Sequence, residues 1–297
     1  MRYFILIACF IFSNAAFAQA TKWFPFENTN GHIRIPVTVA GIDTFAIIDS
    51  GSQVNAINLA FMEEHGLEYD SHQRINIKGA HGVKERKIYR EIPTTLVGLD
   101  LNMEMVGIDL GHHQNGILLG APVLNQFVLQ FNYPEGKMRI AAPGTFNLRE
   151  VGNLEMRAQK GSGQPLVKVN LNNEIERWLL LDTGNSGGIY MERIVATSYD
   201  WLKKYPSEMG LSRGVNEVAN VEYFQLPTLG FGPYTLENIR VVVPAEGEAM
   251  DFGDRYSNVN SRTRGVKISG ILGHDVLKHF ILTLDYNNGL GHVYVAP

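Results

Sequence analysis

The chain has one cysteine in 297 residues, Cys9, and it lies in the N-terminal stretch. Met1-Arg2 supplies a short positive start, Tyr3 to Phe12 is almost wholly apolar, and Ala16-Phe17-Ala18 forms a small-x-small cleavage site before Gln19. This is the pattern of a secretory signal peptide over residues 1–18, so the exported chain is expected to carry no cysteine. That excludes disulfides, thiol catalysis and cysteine-ligated metals from the working protein. No later run is long and apolar enough for a membrane helix, so no stable membrane insertion is expected after signal removal. Basic charge is also scarce: losing Arg2 from 26 Lys+Arg against 30 Asp+Glu leaves a net charge of −5. No basic patch suited to nucleic acid stands out, and Lys84-Glu85-Arg86-Lys87 reads as a solvated strand or loop. His112-His113 has no third ligand at a recognisable metal spacing. His274-Asp275 has no serine in a nucleophile-elbow pattern and reads as a helix N-terminus. Neither a metal nor a cofactor is expected.

What is present is glycine, 30 residues of it, together with abundant Val, Ile and Leu and few long amphipathic runs. The composition points to a mainly β protein. His32 to Val39 alternates with period two, and Ala40-Gly41-Ile42 turns the chain into an apolar strand that ends at Asp49. Asn58 to Leu67 predicts a helix, with Asn58 as its cap and Gly66 as its stop. Arg74 to Tyr89 reads as two strands around the tip Gly79-Ala80-His81-Gly82, either an ordinary exposed hairpin or one that folds over a cleft. Thr94 to Val97 and Asn102 to Ile108 are further alternating segments, and Trp23-Phe24-Pro25-Phe26 reads as a strand packing the first half of the chain.

The chain repeats itself. Phe45-Ala46-Ile47-Ile48-Asp49-Ser50-Gly51-Ser52 returns as Trp178-Leu179-Leu180-Leu181-Asp182-Thr183-Gly184-Asn185. Each copy drives an apolar strand into a carboxylate, a small hydroxyl residue and a glycine. A second echo aligns Gly120, Leu124, Phe127 and Tyr133 with Gly273, Leu277, Phe280 and Tyr286. The aspartates are displaced by 133 positions and the later glycines by 153, so the second copy holds 20 additional residues, which the polar stretch Glu246 to Arg264 can accommodate. Units of this length suit two lobes rather than a solenoid. The expected division is residues 19–146, a connector at 147–163, and residues 164–297.

Two Asp-[Ser/Thr]-Gly motifs, each followed by an apolar-apolar-Gly segment and a short helix, resemble the aspartic peptidases of the pepsin and retropepsin group. The closer similarity is to the retropepsin-like aspartyl proteases of bacteria, with both lobes fused in one chain. The resemblance implies a mainly β, bilobal acid-protease-like fold: two β-barrel-like lobes with short helices and a cleft between them. It implies Asp49 and Asp182 as the catalytic pair, braced by Ser50 and Thr183. Gly51 and Gly184 occupy positions where a side chain would obstruct the loops, consistent with glycine's backbone freedom. The tip Gly79, Ala80, His81 and Gly82 is the candidate flap over the substrate, and Arg213 to Tyr223 the candidate flap of the second lobe. The implied activity is that of an aspartic-type endopeptidase acting on peptide or protein substrates as a monomer, with periplasmic or secreted location. The alternative is a catalytically silent peptide-binding or regulatory module of the same fold.

Overall fold

The computed structural model describes residues 20–79, 81–159, 162–248 and 266–295. The segment 1–18, expected to be a signal peptide, and most of the polar stretch Glu246 to Arg264 lie outside the described residues. The described residues build two eight-stranded sheets and one five-stranded sheet.

The first barrel arises from the alternation already visible in sequence. Along His32–Val39 the side chains of Ile33, Ile35, Val37 and Val39 are buried while the alternate residues, half-buried except for the exposed Pro36, take the other face, as the pleat of a strand requires. This strand pairs antiparallel with Ile42–Ile48. The ring then runs through Asn115–Leu119, Ala56–Asn58, Leu99–Ile108 and Val83–Leu96, which pairs back onto His32–Val39 at Thr94 and Thr95. Six strands thus close on themselves, removing the edges that an open sheet would expose. The second half repeats the circuit through Pro165–Leu171, Ile175–Leu181, Gly270–Leu272, Ile189–Met191, Tyr234–Pro244 and Val218–Phe231.

The helix expected at Asn58–Leu67 runs over Leu59–Glu64, with the Asn58 side chain accepting from Ala60 N–H and Gly66 adopting φ +59° after its end. The segment Thr94 to Val97 is not a separate strand. It continues Val83–Leu96, whose register shifts between Tyr89 and Ile92, where Glu91 takes φ +53°. That single left-handed residue inserts a bulge, so a long strand bends to serve both the barrel and the projecting hairpin.

The five-stranded sheet joins the halves. Its order is Phe24–Pro25, Lys137–Ala141, Val128–Asn132, Ile281–Asp285, Leu290–Tyr294. Val128–Asn132 and Ile281–Asp285 pair antiparallel with Gln130 opposite Thr283. These two residues are equivalents under the 153-residue repeat, so the pseudo-twofold axis passes between them. The Gln130 amide donates to Thr283 Oγ1 at 2.6 Å across that axis. Leu129, Phe131, Leu282 and Leu284 of the same strands are buried in the shared core. Phe24–Pro25 pairs with Lys137–Ala141. The aromatic stretch around it therefore belongs to the sheet between the halves rather than to the first barrel. His274–Leu277 is a short helix with Gly273 at its N-cap, as His274-Asp275 led one to expect.

Phe131 is wholly buried where the two halves meet. Replacing it with alanine removes a ring and leaves a cavity, which costs about 3–5 kcal/mol at such a site. We expect Phe131→Ala to lower the denaturant midpoint accordingly in an equilibrium unfolding titration, without a change in the m-value.

Candidate functional site

Asp49 and Asp182 sit at equivalent points of the two barrels, one residue beyond the strands Ile42–Ile48 and Ile175–Leu181. Each backbone N–H is held by the neighbouring parallel strand: Asp49 donates to the Leu119 carbonyl at 3.0 Å and Asp182 to the Leu272 carbonyl at 2.9 Å. The chain then turns tightly, with Ser52 N–H bonded back to the Asp49 carbonyl and Asn185 N–H to the Asp182 carbonyl. Asp, a small hydroxyl residue and Gly are suited to such a turn because their side chains satisfy backbone groups locally. Accordingly, Asp49 Oδ1 accepts from Gly51 N–H and Asp182 Oδ1 from Gly184 N–H, both at 2.8 Å.

The two turns are tied to each other by Ser50 and Thr183, both 1% exposed. The Ser50 hydroxyl donates to the Leu181 carbonyl at 2.7 Å and accepts from Thr183 N–H at 3.0 Å. Reciprocally, the Thr183 hydroxyl donates to the Ile48 carbonyl at 2.8 Å and accepts from Ser50 N–H at 3.0 Å. Four buried polar backbone groups are satisfied only across the boundary between the halves. Tyr286 adds a further crossing bond, its hydroxyl donating to the Ser50 carbonyl at 3.0 Å.

This lacing brings the carboxyl groups together, and they are hydrogen-bonded to each other. A Cβ added to Gly51 would lie 2.4 Å from Asp182 Cγ, and one added to Gly184 would lie 2.4 Å from Asp49 Cγ. Neither glycine has a positive φ. A side chain would obstruct here, as expected from sequence, and what it would strike is the opposing carboxylate; φ itself does not demand glycine. Gly120 and Gly273 follow the same logic, since a Cβ there would strike the Val54 carbonyl at 2.3 Å and the Asn185 carbonyl at 2.5 Å. Burial, the charge of Asp182 and the bond to Asp182 hold the Asp49 carboxyl well above the usual carboxylate range. Two like charges in contact cannot both ionise readily, so the pair retains one proton. Both aspartates keep partial exposure to solvent.

The hairpin tips meet. Ser71–Lys78 and Val83–Leu96 carry Gly79, His81 and Gly82, while Ser207–Arg213 and Val218–Phe231 carry Gly214 to Glu217. Ala80 lies outside the described residues. Asn216 Nδ2 donates to the carbonyls of Ile77 at 2.9 Å and Gly82 at 3.1 Å, and its Oδ1 accepts from Arg86 at 3.1 Å. A side chain at Gly79 would strike Val215, and one at Gly82 would strike Glu217. His81 is 5% exposed, with Nε2 3.2 Å from Ser212 Oγ and 3.5 Å from the Tyr190 hydroxyl. Desolvation lowers its pKa, against the charges of Glu248 and Glu217.

Sequence reasoning passed over four residues that frame the aspartates. Gln164 donates to the Gly51 carbonyl at 2.5 Å and accepts from Gln53 at 2.8 Å. His32 reaches the Gly184 backbone from the other half and feels the charge of Asp182. Tyr133 and Tyr286 are buried beside the pair, and desolvation followed by the nearby aspartate charge raises both hydroxyl pKa values. The tyrosines were legible as a repeated position. His32 and Gln164 carried no signal, because they reach the site from the opposite half of the fold. The rings of His112 and His113 lie tilted against each other at 4.2 Å between centroids, and no group of three or more metal-ligating side chains occurs among the described residues.

A family model described as aspartyl protease matches residues 35–123 and 167–276. No curated protein matches the chain. Among solved structures, the aspartic proteinase from Irpex lacteus matches with a TM-score of 0.53 at 12% identity, covering 93% of this chain and 97% of that one. At that identity the likeness speaks for the fold.

Two outcomes are expected here. Thr183→Val leaves Ser50 N–H and the Ile48 carbonyl buried without a partner, at about 1–3 kcal/mol for each group. Thr183→Ser keeps both bonds, so chemical denaturation should separate the two variants clearly. The raised Asp49 pKa means that folding favours its protonated form. Its stabilising contribution is full below the ordinary aspartate value of 3.8 and lost as pH rises through the raised value. Melting temperatures recorded from pH 3.5 upward should fall over that window, and Asp49→Asn should flatten the dependence.

Proposed function

Because the chain belongs to the aspartyl protease family, we propose that it is an exported aspartic endopeptidase in which Asp49 and Asp182 activate a water molecule between them. The observation that carries this reading is the direct bond between the two carboxyl groups, with Asp49 shifted toward its protonated form. Ionised and protonated carboxyls side by side provide a general base and a general acid from identical side chains. The ionised partner removes a proton from water, whose oxygen attacks the peptide carbonyl. The protonated partner gives its proton to the carbonyl oxygen, and a tetrahedral diol forms. Collapse of the diol breaks the C–N bond as the protonated carboxyl gives its proton to the departing nitrogen and the ionised one takes a proton from a diol hydroxyl, so the pair again holds one proton. Ser50 and Thr183 hold the carboxyls in register, and Gly51 and Gly184 leave room for their approach.

The joined tips at Gly79–Gly82 and Gly214–Glu217 serve in this reading as paired flaps over an extended peptide. Because one chain supplies both aspartates, a monomer suffices. The N-terminal signal pattern supports a periplasmic or secreted location, and no helix among the described residues is long and apolar enough to cross a membrane.

A peptide-library digest between acidic and neutral pH tests the proposal. The purified protein should cleave within peptide chains, and a mimic of the tetrahedral diol should bind far more tightly than the substrate does. Asp49→Asn and Asp182→Asn should each lower kcat by about 10²–10⁴ or more, the range for lost general acid or base catalysis. Unaltered cleavage by either variant, or peptide binding without any cleavage by the parent, would leave only the fold.

A further inference from the structure

The two barrels are related by a repeat, yet the side chains they send across to each other's Asp loop differ. Arg34 is paired with Ile47, two residues before Asp49, and Leu166 is paired with Leu180, two residues before Asp182. Arg34 and Leu166 are therefore structural equivalents, and so are His32 and Gln164, two positions earlier in each strand. Gln164 reaches the opposite loop at the Gly51 carbonyl and is itself held by Gln53. His32 reaches the opposite loop at the Gly184 backbone and faces Asp182. Its position is set by tight packing, since a Cβ on the preceding Gly31 would lie 2.8 Å from Ser186 Cα. Its Nδ1 is buried without a protein hydrogen-bond partner. One loop is thus clasped by an amide that cannot change charge, and the other by an imidazole that can.

We infer that His32 is the positioning residue that makes the two aspartates unequal: its imidazole, set against Asp182 and the Gly184 backbone, holds the negative charge of the pair on Asp182 and leaves the shared proton on Asp49. This rests on the reading of Asp49 and Asp182 as the catalytic pair, and it assigns their roles. Asp182 is the base toward water and Asp49 the acid toward the peptide carbonyl.

The groups facing His32 are few. Desolvation, the largest effect, opposes its protonated form, while Asp182 and the Gly184 backbone favour it; the charge of His32 in turn lowers the pKa of His274. His274 belongs to the helix His274–Leu277, and Asp275, Lys278, His279 and the nearby Tyr133 ring surround it. Tyr133 and Tyr286 also feel the charge of Asp182. With its pKa lowered, His32 is neutral at neutral pH and gains its proton as the medium becomes acidic. The imidazolium then forms beside Asp182 and keeps that carboxylate ionised to lower pH. An opposite charge within about 4–6 Å lowers a carboxylate pKa by about 1–3 units.

The test follows the carboxyl carbons of 13C-labelled aspartates by NMR during a pH titration, with Asp49→Asn and Asp182→Asn used to assign the two steps. In the parent protein the lower step should belong to Asp182. His32→Gln makes the two clasps alike, and His32→Asn provides a smaller amide should the first variant fold poorly. Each should raise the lower step by about one unit. The acid limb of kcat/KM on a peptide substrate should rise with it. Gln164→His, which leaves His32 intact, should lower the Asp49 step. A lower step assigned to Asp49, or titrations unmoved in well-folded variants, would overturn the inference. Loss of kcat in the His32 variants with neither the NMR step nor the acid limb displaced would also overturn it, because that is the mark of a purely structural role. Absence of peptide cleavage by the parent protein would count against the endopeptidase reading alone, since the NMR titration decides the role of His32 without turnover.

Discussion

The structure depends on two buried hydroxyl groups that each complete the other half's backbone. Ser50 and Thr183 satisfy four groups between them, and each bond joins one half of the chain to the other. Neither half can keep its Asp turn intact and dry alone, because an unpaired buried N–H or carbonyl carries the full desolvation penalty. The lobes are therefore locked in register at the point where the carboxyls meet. The sheet through Gln130 and Thr283 supplies the second anchor on the same axis. Its buried apolar side chains contribute area, while the hydroxyl lacing contributes direction.

Held in this way, the two carboxylates are forced into a contact that they would avoid in solution. The energetic cost appears as the upward displacement of the Asp49 pKa, and it is borne by packing elsewhere. Glycine at positions 51 and 184 makes the contact possible, since any side chain there would occupy the opposing carboxylate's place. The fold thus uses stability to hold together two carboxyl groups that are chemically identical. The repeat supplies symmetry, and the crossing contacts remove it: His32 against Gln164, and hairpin tips joined through Asn216 and Arg86 rather than through identical residues.

Much of this was legible from the residues. Alternation along His32 to Val39 marked a half-buried strand, and the apolar run into Asp49 marked a strand ending in a turn. Asn58 and Gly66 bounded the first helix. The ungapped alignment of Gly120 with Gly273 marked the two segments as equivalents, while their pairing across the axis came only with the structure. The separate strand expected at Thr94 to Val97 merged with the hairpin strand instead, since the bulge at Glu91 is a matter of one residue's φ and leaves no mark on hydrophobic periodicity. The aromatic stretch at Trp23 to Phe26 was correctly read as strand but belongs to the sheet between the halves, and local pattern holds no information about which distant strand it will meet.

The sequence by itself determined that there are two copies, that each ends a strand in a carboxylate, and that a small hydroxyl residue and a glycine follow. These are local matters of spacing and turn chemistry, and they are written in consecutive residues. Only the tertiary structure decided that the carboxyls touch, that glycine is demanded by space rather than by φ, and that His32 and Gln164 stand in equivalent places on opposite loops. Those contacts join residues more than a hundred positions apart, and their strength comes from burial, which exists only once the two halves have closed on each other.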